Sequence, residues 1–175
     1  MKGVIANCLC EMVVNRFGQE KWNNILIKSG LPANQQFYNH HDIDDAMILK
    51  VVGKTCEELG ITLEQAADAF GDYWMTVFAP KKYYAFVLSH SSAKSFLLSM
   101  DSVHTKVTNS ENANPPGFTF EELDKNRITM TYLSKRNLEV FWIGLIKGVG
   151  NYFKEKIDIK PITKSKVELT FESLN

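Results

Sequence analysis

The chain has 175 residues, 45% of them hydrophobic and 11% aromatic, enough for one globular domain with a sizeable core and too apolar for a disordered chain. Twenty basic residues balance twenty acidic ones, which excludes the basic excess that marks nucleic-acid or anionic-membrane binders. No apolar run approaches the roughly 20 residues of a membrane span, and the three cysteines (Cys8, Cys10 and Cys56) are odd in number and lack metal-ligand spacing.

The opening MKGVIANCLCEMVV resembles a weak signal peptide, but Asn7 and Glu11 interrupt it and no small-residue cleavage site follows. It reads as the first helix, 2–17, and the chain as cytoplasmic. Gly18 ends that helix, and a second (19–29) stops at Gly30 and Pro32. Asp42, Asp44 and Asp45 open a third helix, 42–59, closed by Gly60. Thr62 and Gln65 form a capping box for a fourth, 63–79, expected to stop before Pro80. A short aromatic helix follows at 81–88, and Ser91 or Ser92 caps one at 93–108. The pattern then changes. Residues 109–117 (NSENANPPG) are a loop signature. Segments 118–123 and 127–134 alternate like strands around a turn at Asp124-Lys125-Asn126. Residues 137–156 return to helix, and 167–173 (VELTFES) is a last strand. The fold class is therefore α+β: a helical N-terminal lobe, about 1–60, followed by a lobe with helices and a small antiparallel sheet, about 61–175, in one domain.

Three features carry chemistry. His104 sits beside an apolar helical stripe with Leu97, Met100, Val103 and Val107, where a neutral imidazole needs either a backbone carbonyl or a metal. Tyr132, Ser134 and Arg136 alternate, so a strand would put three donors on one face over roughly 13 Å, suited to an elongated polyacid. Phe78, Phe86, Phe96, Phe118, Phe141 and Trp74 supply large apolar side chains, normally core. Together they describe a haem site: a flat apolar slot, an axial imidazole, and donors for two propionates. His40-His41-Asp42 is dense in ligand types but lies at a helix start.

Across nearly its whole length the sequence resembles the haem–nitric oxide/oxygen binding (H-NOX) domains, the family that includes the haem domain of soluble guanylate cyclase. The likeness rests on MKGVI at the start, AFGDYW (69–74), DSVH (101–104), the Pro115-Pro116 pair, and YLSKR (132–136) followed by FWIGLIKGVGNYFKEKI (141–157). It implies a helical distal lobe and an α/β proximal lobe with a non-covalent haem b, ferrous when active, between them. It implies His104 as the proximal iron ligand and Tyr132, Ser134 and Arg136 as propionate donors. Pro116 is implied to pack against and distort the porphyrin, and Ile5, Phe78 and Leu145 to line the haem. The O₂-binding members carry a distal tyrosine five residues beyond the motif arginine; here that residue is Phe141. A pocket of Phe141, Leu9, Leu145 and Ile5 favours NO, with CO as a further ligand, over O₂. NO on ferrous haem would break the bond between iron and His104 and release its helix. The signal would pass to a separate partner, a histidine kinase or a cyclic-di-GMP enzyme; nucleic acid and membrane insertion are not implied.

Two rival readings stand beside this one. Trp74 could turn its indole N–H inward as a distal donor, which would make the protein an O₂ sensor. A haem-free interaction module is the other. An enzyme is not expected: Asp101 and His104 are one helical turn apart, but no nucleophile or nucleotide fingerprint accompanies them.

Overall fold

The structure is a computed structural model that describes residues 1–107 and 115–173. The predicted loop therefore lies, up to residue 114, outside the described residues. The chain forms two compact units, divided between Ala66 and Ala67.

The first unit holds α1 (Gly3–Phe17), α2 (Gln19–Lys28), α3 (Asp45–Leu59) and the start of α4 (Leu63–Tyr73). Its core is built by Leu9, Met12, Val13, Trp22, Ile25 and Val51, all buried. Gly18 and Gly60 end α1 and α3 with φ of 88° and 64°, a region that favours glycine. The Thr62–Gln65 capping box is formed, with reciprocal bonds of 2.9 and 3.2 Å. The expected start of α3 at residue 42 is three residues early. Asp44 is the cap, accepting from the Ala46 N–H at 2.8 Å, while Asp42 pairs with Lys2 at 2.9 Å. His41 packs against Tyr38 with the rings tilted and their centres 5.1 Å apart, and the described residues hold no metal-like cluster of His, Cys, Asp and Glu.

The second unit combines the rest of α4 with a π turn (Trp74–Phe78), α5 (Ala79–Lys82), α6 (Tyr84–Leu88), α7 (Ala93–Leu98), α8 (Met100–Val107) and α9 (Glu139–Phe153). Its antiparallel sheet runs in the order β1-β2-β4-β3, from β1 (Gly117–Glu122), β2 (Arg127–Leu133), β3 (Glu155–Thr163) and β4 (Lys166–Ser173). Ile128 and Met130 of β2 and Val167, Leu169 and Phe171 of β4 are buried in one core with Trp142 and Ile146 of α9.

Pro80 does not stop the fourth helix. The chain widens into the π turn, where the Ala79 N–H reaches the Trp74 carbonyl five residues back, and Pro80 is then carried in the first turn of α5. A wider turn tolerates a residue that has no N–H and crowds the carbonyl four back. The predicted 93–108 helix is two helices, broken at Ser99, whose hydroxyl bonds the Phe96 carbonyl at 2.6 Å. The helix predicted over 137–156 ends at Phe153, because Lys154 turns left-handed at φ 56°. Residues 155–163 are then a strand missed by sequence reading, with Ile157 and Ile159 inward and Lys156, Asp158 and Lys160 outward. No helix among the described residues is long and apolar enough to cross a membrane.

Candidate functional site

His104 projects from α8, half-buried, with its ring 5.3 Å from that of Phe118. Its Nδ1 lies 3.3 Å from the Pro116 carbonyl. A carbonyl only accepts, so Nδ1 carries the proton and the lone pair of the neutral ring sits on Nε2. Burial holds the imidazole below its ordinary pKa; the Pro116 carbonyl and the Asp101 carboxylate oppose that shift without cancelling it. The ring is therefore neutral at pH 7, the form that ligates a metal. The carbonyl alternative is thus served at Nδ1. Asp101, one turn earlier, accepts from the Phe118 N–H at 2.9 Å. It fastens α8 to the start of β1.

Tyr132, Ser134 and Arg136 do not share a strand face. β2 ends at Leu133, and the Ser134 hydroxyl accepts from the Arg136 N–H at 3.2 Å, a local turn that ends the extended run. Asn137 then takes φ 52°, tolerated by asparagine, and α9 begins. The donors converge by turning rather than by alternation. Tyr132 is buried and stacked on Trp142 at 5.4 Å and 15°, with its main chain held by the Ser165 carbonyl at 2.8 Å. Its hydroxyl shares a hydrogen bond with Ser134. Burial first, and then the Glu139 carboxylate, raise its pKa, while Ser134 and Arg136 act against them. The phenol stays protonated, and with the Ser134 hydroxyl and the Arg136 guanidinium it makes a donor set for carboxylates.

The aromatic residues expected to form one slot separate into three groups. Trp74 packs against Phe70, Phe78 and Tyr83 at 5.3–6.3 Å, and Phe141 meets Phe70 edge-on at 5.9 Å. Phe86 and Phe96 pack with His90. Phe118 joins His104 and Tyr132. Phe78 is fully buried, while Phe141, Leu145 and Trp74 are half-buried. Ile5 lies on α1 in the first unit, half-buried, as do Pro116 and Arg136 in the second.

α9 reaches its place through backbone contact. A Cβ on Gly144 would stand 2.2 Å from the Ala67 carbonyl oxygen, and one on Gly148 2.1 Å from that of Gly71. Lys147–Asp68 at 2.7 Å and Asn151–Asp72 at 2.9 Å flank this seam. The seam carries Phe141 and Leu145. The sequence shows Gly144-Leu145-Ile146-x-Gly148 as part of the family likeness, but its glycine spacing was not taken as a sign of close helix contact. Phe70, Glu139 and Lys164 were also passed over, and no motif marks them.

A neutral imidazole, a buried phenol, and a half-buried hydroxyl and guanidinium have the chemistry that an iron porphyrin with two carboxylates would need. The comparisons agree. The family described as Haem-NO-binding matches residues 2–161. Two soluble guanylate cyclases of Caenorhabditis elegans, gcy-32 and gcy-34, are each 24% identical over 140 residues, 78% of this chain and 20% of theirs. The chain thus spans about a fifth of the length of these curated relatives. Among solved structures, the oxygen complex of an oxygen-binding H-NOX domain related to soluble guanylate cyclases matches with a TM-score of 0.87 at 24% identity, covering 99% of this chain and 96% of that one. A single-substitution variant of T. Tengcongensis H-NOX matches at 0.88 and 24%, covering 99% and 98%. These structures share the fold. With the family pattern running from residue 2 to residue 161, the chain belongs to the Haem-NO-binding family, whose H-NOX domains are haem-based gas sensors.

Proposed function

We propose that the chain is a single sensor domain that binds NO and reports it to a separate protein by releasing His104. Haem, when bound, supplies a ferrous iron that takes a diatomic gas. The observation that carries the reading is the His104 Nδ1 contact with the Pro116 carbonyl at 3.3 Å. It sets the tautomer, makes Nε2 the nitrogen that would ligate iron, and ties His104 to the segment entering β1. Tyr132, Ser134 and Arg136 would hold the two propionates, and Pro116 would pack against the ring. Asp101 serves here as an anchor for Phe118 rather than as an acid or base, which favours a sensor over a catalyst. Release of His104 would free α8, a helix of eight residues, to move within its contacts at residues 116–118. That displacement is the signal offered to a partner, a histidine kinase or cyclic-di-GMP enzyme in the reading that the family likeness suggests. A cytoplasmic location belongs to the same reading.

NO is favoured over O₂ because Phe141 has no hydroxyl, and a distal pocket without donors gives bound O₂ no stabilisation. The O₂ alternative rests on the Trp74 indole, but that ring is packed among Phe70, Phe78 and Tyr83, which favours a packing role. The direct test is an absorption spectrum of the reduced, anaerobic protein, repeated after air and, separately, after NO. A five-coordinate ferrous spectrum that ignores brief air and shifts with NO supports the reading. A stable oxy spectrum would transfer it to O₂, and no Soret band even with added haem would leave an interaction module. Phe141→Tyr is expected to confer a measurable oxy complex, tightening O₂ by about tenfold or more, the worth of one hydrogen bond to a charged acceptor. An O₂ titration indistinguishable from the parent's would mean that residue 141 does not face the gas.

A further inference from the structure

The first unit holds a cleft that the haem reading leaves unused. It lies between α1, α2 and the segment 33–38 and encloses about 670 Å³, the size of a ligand site. Its polar lining is made of amides: Asn7, Gln19, Asn23, Asn34, Gln35 and Gln36, so that every glutamine of the chain except Gln65 is here. Trp22 and Phe37, both buried, are its apolar part. None of the described lining residues is charged, in a chain of which 23% is charged. Cys10 also lines the cleft and stays a neutral thiol, because burial, and after it the Glu11 carboxylate, push it up to about 11. A cleft without charge gives an ion no return for the water it would lose. An amide presents a donor and an acceptor together, which matches the peptide unit of another chain.

One wall of the cleft is tied to α1. The Asn7 amide gives away both hydrogens, to the Phe37 carbonyl and to the Asn39 side chain, each at 2.7 Å, and its oxygen remains to accept. The Gly3 N–H donates to the His41 carbonyl at 2.9 Å, and a Cβ on Gly3 would collide with the Tyr38 carbonyl oxygen. At about 100° per residue, Asn7 stands on the side of α1 opposite Ile5 and Leu9, the two α1 residues assigned to the haem pocket. Resting on that haem reading, we propose that the cleft is where the partner protein docks, through an extended, uncharged segment held by its main chain, and that α1 carries the state of the haem to it. The segment is extended because its successive N–H and C=O groups are then free to meet amides. A shift of α1 driven from the Ile5 side moves the Asn7 amide and the 37–41 wall together, and so changes how the cleft fits the segment.

The test is a nitrogen-15 NMR titration of the full chain with ferrous haem bound, before and after NO. The probe is acetyl-trialanine methylamide, an uncharged peptide that offers main chain and little else. Saturable shifts are expected at the side-chain amides of the cleft and at the Trp22 indole, with an affinity that NO changes about fivefold or more. The same peptide with every amide nitrogen methylated has no N–H to donate and is expected to bind about tenfold more weakly. Asn34→Leu combined with Gln36→Leu, both at exposed positions, is expected to weaken the unmethylated peptide about three- to tenfold and to leave the haem spectrum unchanged. No saturable shift, or shifts scattered over the surface, overturns the docking site. Equal binding of the methylated peptide overturns main-chain recognition, and equal affinity with and without NO overturns the role of α1. A chain that takes up no haem overturns the haem reading itself; the same titration on that chain still decides the docking site, so the failures are told apart.

Discussion

In a His104→Gly protein the five-coordinate ferrous spectrum is expected to disappear and to return when imidazole is added. The side chain deleted is half-buried and lies against the Phe118 ring at 5.3 Å, so its removal leaves a hollow of the shape of imidazole. The Pro116 carbonyl, 3.3 Å from Nδ1 in the parent, offers the free ring the same anchor it gave the side chain. Rescue should therefore be better with imidazole than with N-methylimidazole, which has no N–H to give that carbonyl when its remaining nitrogen binds iron. If the glycine variant keeps the parent spectrum without added ligand, another residue holds the iron and His104 is a core histidine satisfied by Pro116. The loss expected is of the fifth ligand itself, which makes it the largest spectroscopic effect of any substitution in the chain.

The largest effect on stability is expected from the glycine seam. In Gly144→Ala the new methyl would meet the Ala67 carbonyl oxygen at 2.2 Å and its carbon at 2.6 Å. Both are main-chain atoms and cannot swing aside. α9 must therefore move off α4, stretching Lys147–Asp68 and Asn151–Asp72, now 2.7 and 2.9 Å. Overpacking of this kind costs about 1–3 kcal/mol. For a chain of this size that is a fall of about 3–10 °C in thermal midpoint. Gly53→Ala is the internal control. Gly53 lies in the exposed face of α3 with nothing within 4 Å of a built Cβ, so alanine there is expected to stabilise by about 0.5–1 kcal/mol through helix propensity. Calorimetry on the two variants should move in opposite directions. A Gly144→Ala protein that melts with the parent would mean that the helices are not held at backbone contact.

Much of the fold was legible because its boundaries carry ordinary chemistry. Gly18, Gly60, the Thr62–Gln65 box and the Ser92 cap all lie where local sequence places them. Two of the failures share one cause: the chain changes direction without a residue that announces it. Lys154 stops α9 in a left-handed conformation that glycine or asparagine would normally mark, so the strand beyond it was absorbed into the helix. Ser99 breaks a helix by bonding back to Phe96, a habit of serine invisible in an apolar periodicity. Pro80 misled in the opposite sense, because the π turn makes room for it. In the candidate site, the residue types were readable and their geometry was not. Tyr132, Ser134 and Arg136 alternate in sequence, but only Tyr132 is on the strand, and Ser134 bends the chain so that the others follow. Glu139 pairs with Lys164 of the β3–β4 turn at 3.7 Å, which depends on tertiary approach. No spacing in the sequence encodes that.

The strand that sequence reading missed has a bearing on how the protein behaves when crowded. β3 closes one side of the sheet. It presents Lys156, Asp158 and Lys160 outward, its pairing with β4 is irregular between Pro161 and Thr163, and Pro161 has no amide to donate. Charges, a proline and a broken register are the features that keep a free sheet border from recruiting a strand of another molecule. That border is thus protected against fibril-like stacking at high concentration, and substituting Pro161 and Lys160 with β-branched residues would lift the protection without touching the haem chemistry.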